Sequence, residues 1–543
     1  MKLDKKYRIL LQGALIFVWL TDLSPLTQTD TYYSVYLLCG LAGLSCLLAN
    51  RRQEKQPLAV KIFAGLFSLA VVMGNFELYQ PFYALQSKLN LVLDLVGGYC
   101  VGFQVLSAML CRLPLRRDAR ERKHPAAVFW GVFAVIAVID LLYLFGARYP
   151  GVLTTDSYST VSQILKGNYN NTMPFWHTML VQVFVKIGLA IFGEINRAVA
   201  LYHVFQIFFL AAVFFVYGLL PYNIVYSVTL WKDIPFGASA LLLATAFYRL
   251  LKSVGKPLPN WITFVLGALG VSLLRTNGWF AMLAVLVLLA VLVHKEHKKL
   301  LWILTGVLAV SWVMINPVLW LLKVPKTNIV EAFAVPMQQI ARVVTQEREL
   351  EPEEEALLSE IFNLEKMKEV YDPQTVDPVK FETFQYGKTD YIQTHKWEYL
   401  RLYLSLGARY PADYGKAWVE ETRGYWNGGY FYWIYPARSS QTPVMGIVHS
   451  GENRIVTAAF GAWFRALEKP AVLEPLYSIG LQVWILAACC LINALKKNRQ
   501  WLIGVPVLVL VVGLWLGTPV YSEFRYAYPI ILTAPLVLMT TLY

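Results

Sequence analysis

RYPGVLTTDSYSTVSQILKGNYNNTMPFWHT, residues 148–178, is a long polar connection between two apolar runs, and reading it as a loop between membrane helices decides the fold. The Pro150-Gly151 pair ends the preceding helix, because proline lacks an N–H and glycine accepts conformations that break a helix. Val161, Ile164 and Leu165 then recur at helical spacing. Asp156 and Ser157 stand at the head of that short helix, where a carboxylate and a hydroxyl satisfy unpaired N–H groups and the helix dipole. The reading puts an acid beside lipid headgroups.

The rest of the chain agrees with a membrane setting. Of 543 residues, 57% are hydrophobic and 15% charged, and mean hydropathy is +0.48, values that exclude a soluble domain of ordinary composition. Runs near the ~20 residues that cross a bilayer are expected at 8–22, 31–49, 58–76, 90–111, 126–146, 176–193, 197–219, 234–251, 259–274, 278–293, 300–322, 473–495, 501–517 and 525–543. The expected fold is mainly α: a polytopic protein of about fourteen transmembrane helices.

The formal charge of +13 is distributed as a topology signal. Basic clusters at Lys2 to Arg8, Arg51 to Lys55, Arg112 to Lys123, Arg249 to Lys256, Lys295 to Lys299 and Lys496 to Arg499 fall in alternate loops. By the positive-inside rule both termini are cytoplasmic and the Asp156 loop faces outward; no nucleic-acid partner is implied. The first apolar run reads as a retained anchor. The six cysteines have no metal-binding spacing and imply no disulfide framework.

Four units follow: an accessory N-terminal membrane module over 1–124, a membrane core over 125–322, an extracytoplasmic α-rich domain over 323–472, and closing membrane helices over 473–543. Residues 323–472 are too long and polar for an ordinary connection. In that domain 329–346 and 351–370 have helical periodicity, whereas DPQTVDPVKF and YWNGGYFYWIYP read as extended or turn-rich.

The order Pro150-Gly151, Asp156-Ser157, Gln163 and His177-Thr178 before the next span resembles the first catalytic loop of bacterial GT-C glycosyltransferases. The resemblance extends with gaps from about Tyr143 to the C-terminus. It implies a multi-pass enzyme that moves a sugar from a polyprenyl-phosphate carrier, with Asp156 as the catalytic carboxylate. Many relatives have His-Pro where this chain has His177-Thr178, which weakens the implied role of His177.

Such a transfer needs an acceptor for the hydroxyl proton, cations for the departing phosphate, and a pocket for a sugar. Asp156 supplies the first. In TLWKDIPFG, residues 229–237, Lys232 suits a phosphate and Asp233 resembles a second active-site acid. Arg275 in LLRTNG and Arg525 in SEFRYAYP resemble the arginines that the family places near the carrier phosphate, and Glu523 could orient Arg525. His177 is a further phosphate candidate. Gln163, Gln339 and Arg342 are candidate substrate contacts. Tyr425 and Trp426, with Tyr430, Tyr432 and Trp433, form an aromatic patch suited to stacking on a sugar.

No compact ligand cluster is visible, so a divalent cation bracketed by Asp156 and Asp233 stays open. The expected partners are a lipid-linked sugar donor, a cell-envelope glycan, glycolipid or protein acceptor, and the bilayer itself. Two other functions fit the same composition. One is a transporter or flippase of lipid-linked saccharides, against which the lack of internal repeats counts. The other is a polysaccharide polymerase or ligase that relies on arginines and needs no Asp156.

Overall fold

The computed structural model describes residues 5–23, 45, 56–112, 125–252, 257–293, 298–428, 434, 445–468 and 474–542, apart from 82, 215 and 387. Among the described residues the protein is mainly α-helical, and β pairing is confined to isolated bridges. Among them, seven helices are long and apolar enough to cross a membrane: Leu85–Cys111, Ala126–Ala147, Phe175–Phe192, Ile195–Val213, Asp233–Lys252, Lys298–Leu321 and Arg499–Leu516. Six shorter apolar helices accompany them there, at Ile9–Leu20, Leu58–Gly74, Pro257–Leu273, Gly278–Leu292, Ile479–Leu495 and Tyr528–Leu542. Each lies at an expected span, and the run expected at 31–49 lies, apart from Ser45, outside the described residues. The one expected over 197–219 stops at Val213, because Phe214 turns to extended backbone and Pro221 opens a new helix.

These helices are apolar on the outside as well as the inside. Leu266, Val287, Val291, Trp302 and Val310 are all more than half exposed. An apolar outer surface on this scale needs a non-aqueous neighbour, and lipid is the one that suits helices of this length.

The closing helices are part of the core, not an appendix to it. Tyr528–Leu542 packs against both Asp233–Lys252 and Ile479–Leu495, and Ile530, Ile531 and Leu532 share one buried cluster with Tyr143, Ile207 and Trp231. Two glycines permit the closest approaches. A side chain on Gly237 would meet the Tyr528 ring at 2.8 Å, and one on Gly267 would meet the Leu243 backbone at 2.7 Å. The Asp233–Lys252 helix is thereby held tightly between Pro257–Leu273 and Tyr528–Leu542.

The polar segment divides where the sequence suggested one domain. Val330 to Tyr414 encloses its own apolar core, in which Met337, Leu358, Val379 and Leu406 are buried. Beyond it the chain returns to the membrane helices. Trp418 Nε1 donates to the Trp515 carbonyl at 2.7 Å, and Arg454–Glu468 packs along Pro125–Ala147. DPQTVDPVKF is extended only in part: a turn bridges Asp372 and Thr375, and a helix runs over Asp377–Tyr386. Pro378 fits there because the first turn of a helix has no use for its missing N–H.

Candidate functional site

Asp156 is placed by its own loop. The Thr155–Lys166 helix begins after Thr154, whose N–H donates to Ser157 Oγ at 3.0 Å. Ser157 Oγ in turn donates to the Leu230 carbonyl at 2.9 Å, which fastens the helix start to the loop that carries Lys232. A parallel bridge doubles the link: Val152 N–H reaches the Val228 carbonyl at 2.7 Å, and Leu230 N–H the Val152 carbonyl at 3.2 Å. Trp231 Nε1 closes it by donating to Thr154 Oγ1 at 2.7 Å. From below, the Gln206 amide donates to the carbonyls of Tyr226, Ser227 and Thr229. Val152 and Thr229, 77 positions apart in the chain, are thus held in register by backbone bonds on either side.

The ionic groups then converge. Arg525 Nη1 lies 2.7 Å from Asp156 Oδ2, and Lys232 Nζ lies 3.8 Å from the same oxygen. Arg525 Nε is 2.7 Å from Glu523 Oε1. Arg275 Nη1 faces Asp233 Oδ1 at 3.2 Å. The guanidinium carbon of Arg275 lies 4.5 Å from the Tyr526 ring centre and that of Arg525 lies 5.0 Å from it, so one tyrosine joins the two arginines. Arg525 also covers the Trp231 ring at 4.7 Å. Three cations meet three carboxylates, leaving no formal net charge.

The groups differ in how far they are shielded. Asp233 is fully buried and Glu523 is 2% exposed, whereas the Asp156 side chain keeps 29% of its surface open. Burial works against the charge of Asp156, but the fields of Lys232 and Arg525 override it and hold the carboxyl at about 2. Lys380, on the outer segment, adds to that field while pairing with Glu331 at 3.2 Å and Asp377 at 3.0 Å. At Glu523 burial wins over Arg525 and pushes the carboxyl up. Its Oε2 has no hydrogen-bond partner among the described residues, and neither oxygen of Asp233 makes a well-directed hydrogen bond.

Asp156, Lys232, Asp233, Arg275, Glu523 and Arg525 are therefore brought into one cluster. His177 is buried just beneath, within reach of the charges of Lys232 and Asp156, with Nε2 3.4 Å from the Tyr202 hydroxyl.

The remaining candidates are engaged elsewhere. Gln163 uses both ends of its amide on Asn170, at 3.2 and 3.1 Å, and so shapes the Asp156 loop from within. Gln339 donates to the Tyr414 carbonyl and accepts from the Tyr403 hydroxyl, and Arg342 pairs with Asp413 and Glu420 on the Pro411–Thr422 helix that leads out of the polar segment. Tyr425 and Trp426 are buried, not displayed: the Tyr425 hydroxyl donates to the Tyr521 carbonyl, and Trp426 stacks on Trp418 at 5.7 Å. The sugar platform expected from them is a core contact. Tyr430, Tyr432 and Trp433 lie outside the described residues.

Trp231, Tyr526 and Lys380 join the site without having been singled out in the sequence. The first two have a signal there, since each directly adjoins a cation of the cluster; Lys380 has none.

The donor set does not fit a divalent ion. Asp156 and Asp233 each already face a cation, and among the described residues no group of three His, Cys, Asp or Glu side chains could hold a metal. What the arrangement can do is bind an anion on three cations and present a carboxylate oxygen beside it. Residues 128–543 match a family described as a family of unknown function, DUF6020. No curated protein and no solved structure matches the chain.

Proposed function

The chain belongs to the DUF6020 family, and for it we propose a membrane glycosyltransferase that moves a sugar from a polyprenyl-phosphate donor to a cell-envelope acceptor, a glycan, glycolipid or protein. The protein would comprise about fourteen spans, with a GT-C-like core over 125–322, both termini cytoplasmic and the site on the extracytoplasmic face. The observation that carries the reading is the convergence of Asp156 with Lys232, Arg275 and Arg525 from four distant segments of the chain.

The chemistry follows from the geometry. The donor phosphate is a single negative charge at the end of a lipid, and the arginines offer the planar donors that phosphate oxygens prefer. Both cations that touch Asp156 bind Oδ2. Oδ1 is the oxygen to accept the acceptor hydroxyl. At about 2 the carboxyl is a weak base while Lys232 and Arg525 hold it. A phosphate that draws those cations onto itself restores its basicity at the moment the donor is in place. The acceptor oxygen then forms a bond to the anomeric carbon, the bond from that carbon to the phosphate oxygen breaks, and the acceptor proton passes to Asp156. The carrier phosphate leaves with the bonding electrons, stabilised by Lys232, Arg275 and Arg525.

The test uses the full chain in proteoliposomes with undecaprenyl-phosphate-linked radiolabelled hexose and fractionated envelope glycans. Labelled glycan is the expected product. Scrambling of a fluorescent lipid-linked sugar across the bilayer with no labelled product would replace transfer by transport.

A further inference from the structure

Glu523 has no part in the transfer step, yet it is 2% exposed and one of its oxygens has no partner among the described residues. The other oxygen is bound by Arg525 at 2.7 Å. The ionisable groups whose charge reaches it are Arg525 and Tyr526 from its own segment, Asp233 from the Asp233–Lys252 helix, Asp156 from the Thr155–Lys166 helix, and Tyr226 and Tyr425. Glu523 itself is so enclosed that water screens a charge on it little.

Charge balance makes this arrangement consequential. Lys232, Arg275 and Arg525 are already matched by Asp156, Asp233 and Glu523. An anion that arrives in the buried cluster leaves it one negative charge in excess, and an uncompensated charge away from water is costly. The cluster can restore neutrality by protonating one carboxyl. Asp156 keeps 29% of its side chain open to water, which favours its charged form, and Asp233 faces Arg275 at 3.2 Å. Glu523 instead shares Arg525, the arginine a phosphate beside Asp156 would draw away, with Asp156.

Building on the phosphate-binding reading above, we propose that Glu523 takes up one proton when the donor binds and so selects a singly charged phosphodiester over a doubly charged phosphate monoester. Protonation also frees Arg525 from Glu523 for the phosphate. Burial, which pushes this carboxyl up from its ordinary range, acts in the same direction. The donor, a sugar phosphodiester, carries one charge at any neutral pH. The released carrier is a monoester whose second ionisation falls near pH ~6, so it gains a charge that one proton on Glu523 cannot offset. The site that retains the donor thereby expels the product.

The experiment is calorimetric titration of the full chain in nanodiscs with two short-chain probes, methyl farnesyl phosphate as the diester and farnesyl phosphate as the monoester. In buffers of different ionisation enthalpy, diester binding should take up about one proton per site; zero uptake would overturn the proposal in the wild-type protein alone. Above the protonation midpoint of Glu523 the diester affinity should weaken about tenfold per pH unit. Glu523→Gln should bind it with an affinity constant within about twofold from pH 6 to 8, tighter than wild type by about tenfold or more at pH 8. It should also lose most of the preference for diester over monoester. A Glu523→Gln profile that parallels wild type would assign the proton elsewhere and overturn the proposal. Failure of both probes to bind at any pH would instead remove the phosphate site itself, and the proposed function with it.

Discussion

Two buried ionic clusters in this protein use the same residue types and differ in reach and in access. In the outer segment Arg342 lies between Glu420 and Asp413, and Arg348 reaches Asp413 at 2.8 Å. All of these come from helices or turns that share one apolar core or adjoin it, and the hydrogen bonds are local to it. The Asp156 cluster draws its members from the polar loop, the Asp233–Lys252 helix, the end of Pro257–Leu273 and the approach to Tyr528–Leu542. Each cluster has an unpartnered buried atom among the described residues, Arg342 Nε in the outer segment and Glu523 Oε2 beside Arg525. What separates them is access: Asp413 and Glu420 are closed over, whereas Asp156 keeps 29% of its side chain open. An open acid where distant segments meet is the feature on which the proposed anion site rests.

The comparison can be broken from either side. The largest effect is expected for Arg525→Gln, which removes the only side chain that touches both Asp156 and Glu523 within the cluster. Glycosyl transfer should fall by about 10³-fold or more, on the scale of losing a charge-stabilising donor at a developing anion. Radiolabel transfer in proteoliposomes measures it, and transfer near the wild-type level would place Arg525 outside the chemistry. Arg342→Leu is the counterpart in the outer segment. It strands Glu420, while Asp413 keeps Arg348 at 2.8 Å, and should cost about 3 kcal/mol of stability, read as a lowered unfolding midpoint, while transfer per folded molecule stays within about twofold. Loss of transfer without loss of stability would merge the two clusters into one.

Tyr526→Phe sharpens the description of the first cluster. It keeps the ring that both guanidiniums contact but removes the hydroxyl that accepts from Arg525 Nη2 at 3.2 Å. A loss of about 1 kcal/mol, several-fold in affinity for methyl farnesyl phosphate, is expected, with thermal stability little changed.

The smallest effect concerns acid pH. The carboxyl of Asp156 ordinarily titrates at 3.8 and is held at about 2 in the folded protein. Its ion pairs therefore contribute fully above pH ~4 and are lost as pH falls toward ~2, because the folded state must release its cations to take the proton. Denaturant unfolding from pH 5 to 2 should show that loss in wild type, and Asp156→Asn should lack this component.

How much of this was legible depends on what kind of constraint was at work. The membrane helices were readable because hydropathy is a property of composition, and a bilayer imposes one length on every span. Asp156, Lys232, Asp233, Arg275 and Arg525 were readable because charges at the ends of apolar runs are few, and each needs a reason to be there. Gln339 and Arg342 were misplaced for a physical cause. Their spacing puts them on one helix face, but spacing does not say what that face meets, and it meets Tyr414, Glu420 and Asp413. Tyr425 and Trp426 misled similarly. An aromatic with a polar tip is equally stable on a surface or in a core where a carbonyl or hydroxyl accepts its hydrogen, and here the Tyr521 carbonyl and Thr422 Oγ1 do so. Lys380 could not be foreseen, since its proximity to Asp156 exists only once the outer segment folds over the membrane helices.

The central claim is that Asp156 receives the acceptor proton while the neighbouring cations hold the carrier phosphate. Asp156→Asn tests it directly, because the change preserves shape and removes the charge. With undecaprenyl-phosphate-linked hexose in proteoliposomes, the account predicts that transfer drops by about 10²- to 10⁴-fold while methyl farnesyl phosphate binding is retained or strengthened as Lys232 and Arg525 lose a competitor. Transfer at the wild-type rate by the asparagine variant would contradict it.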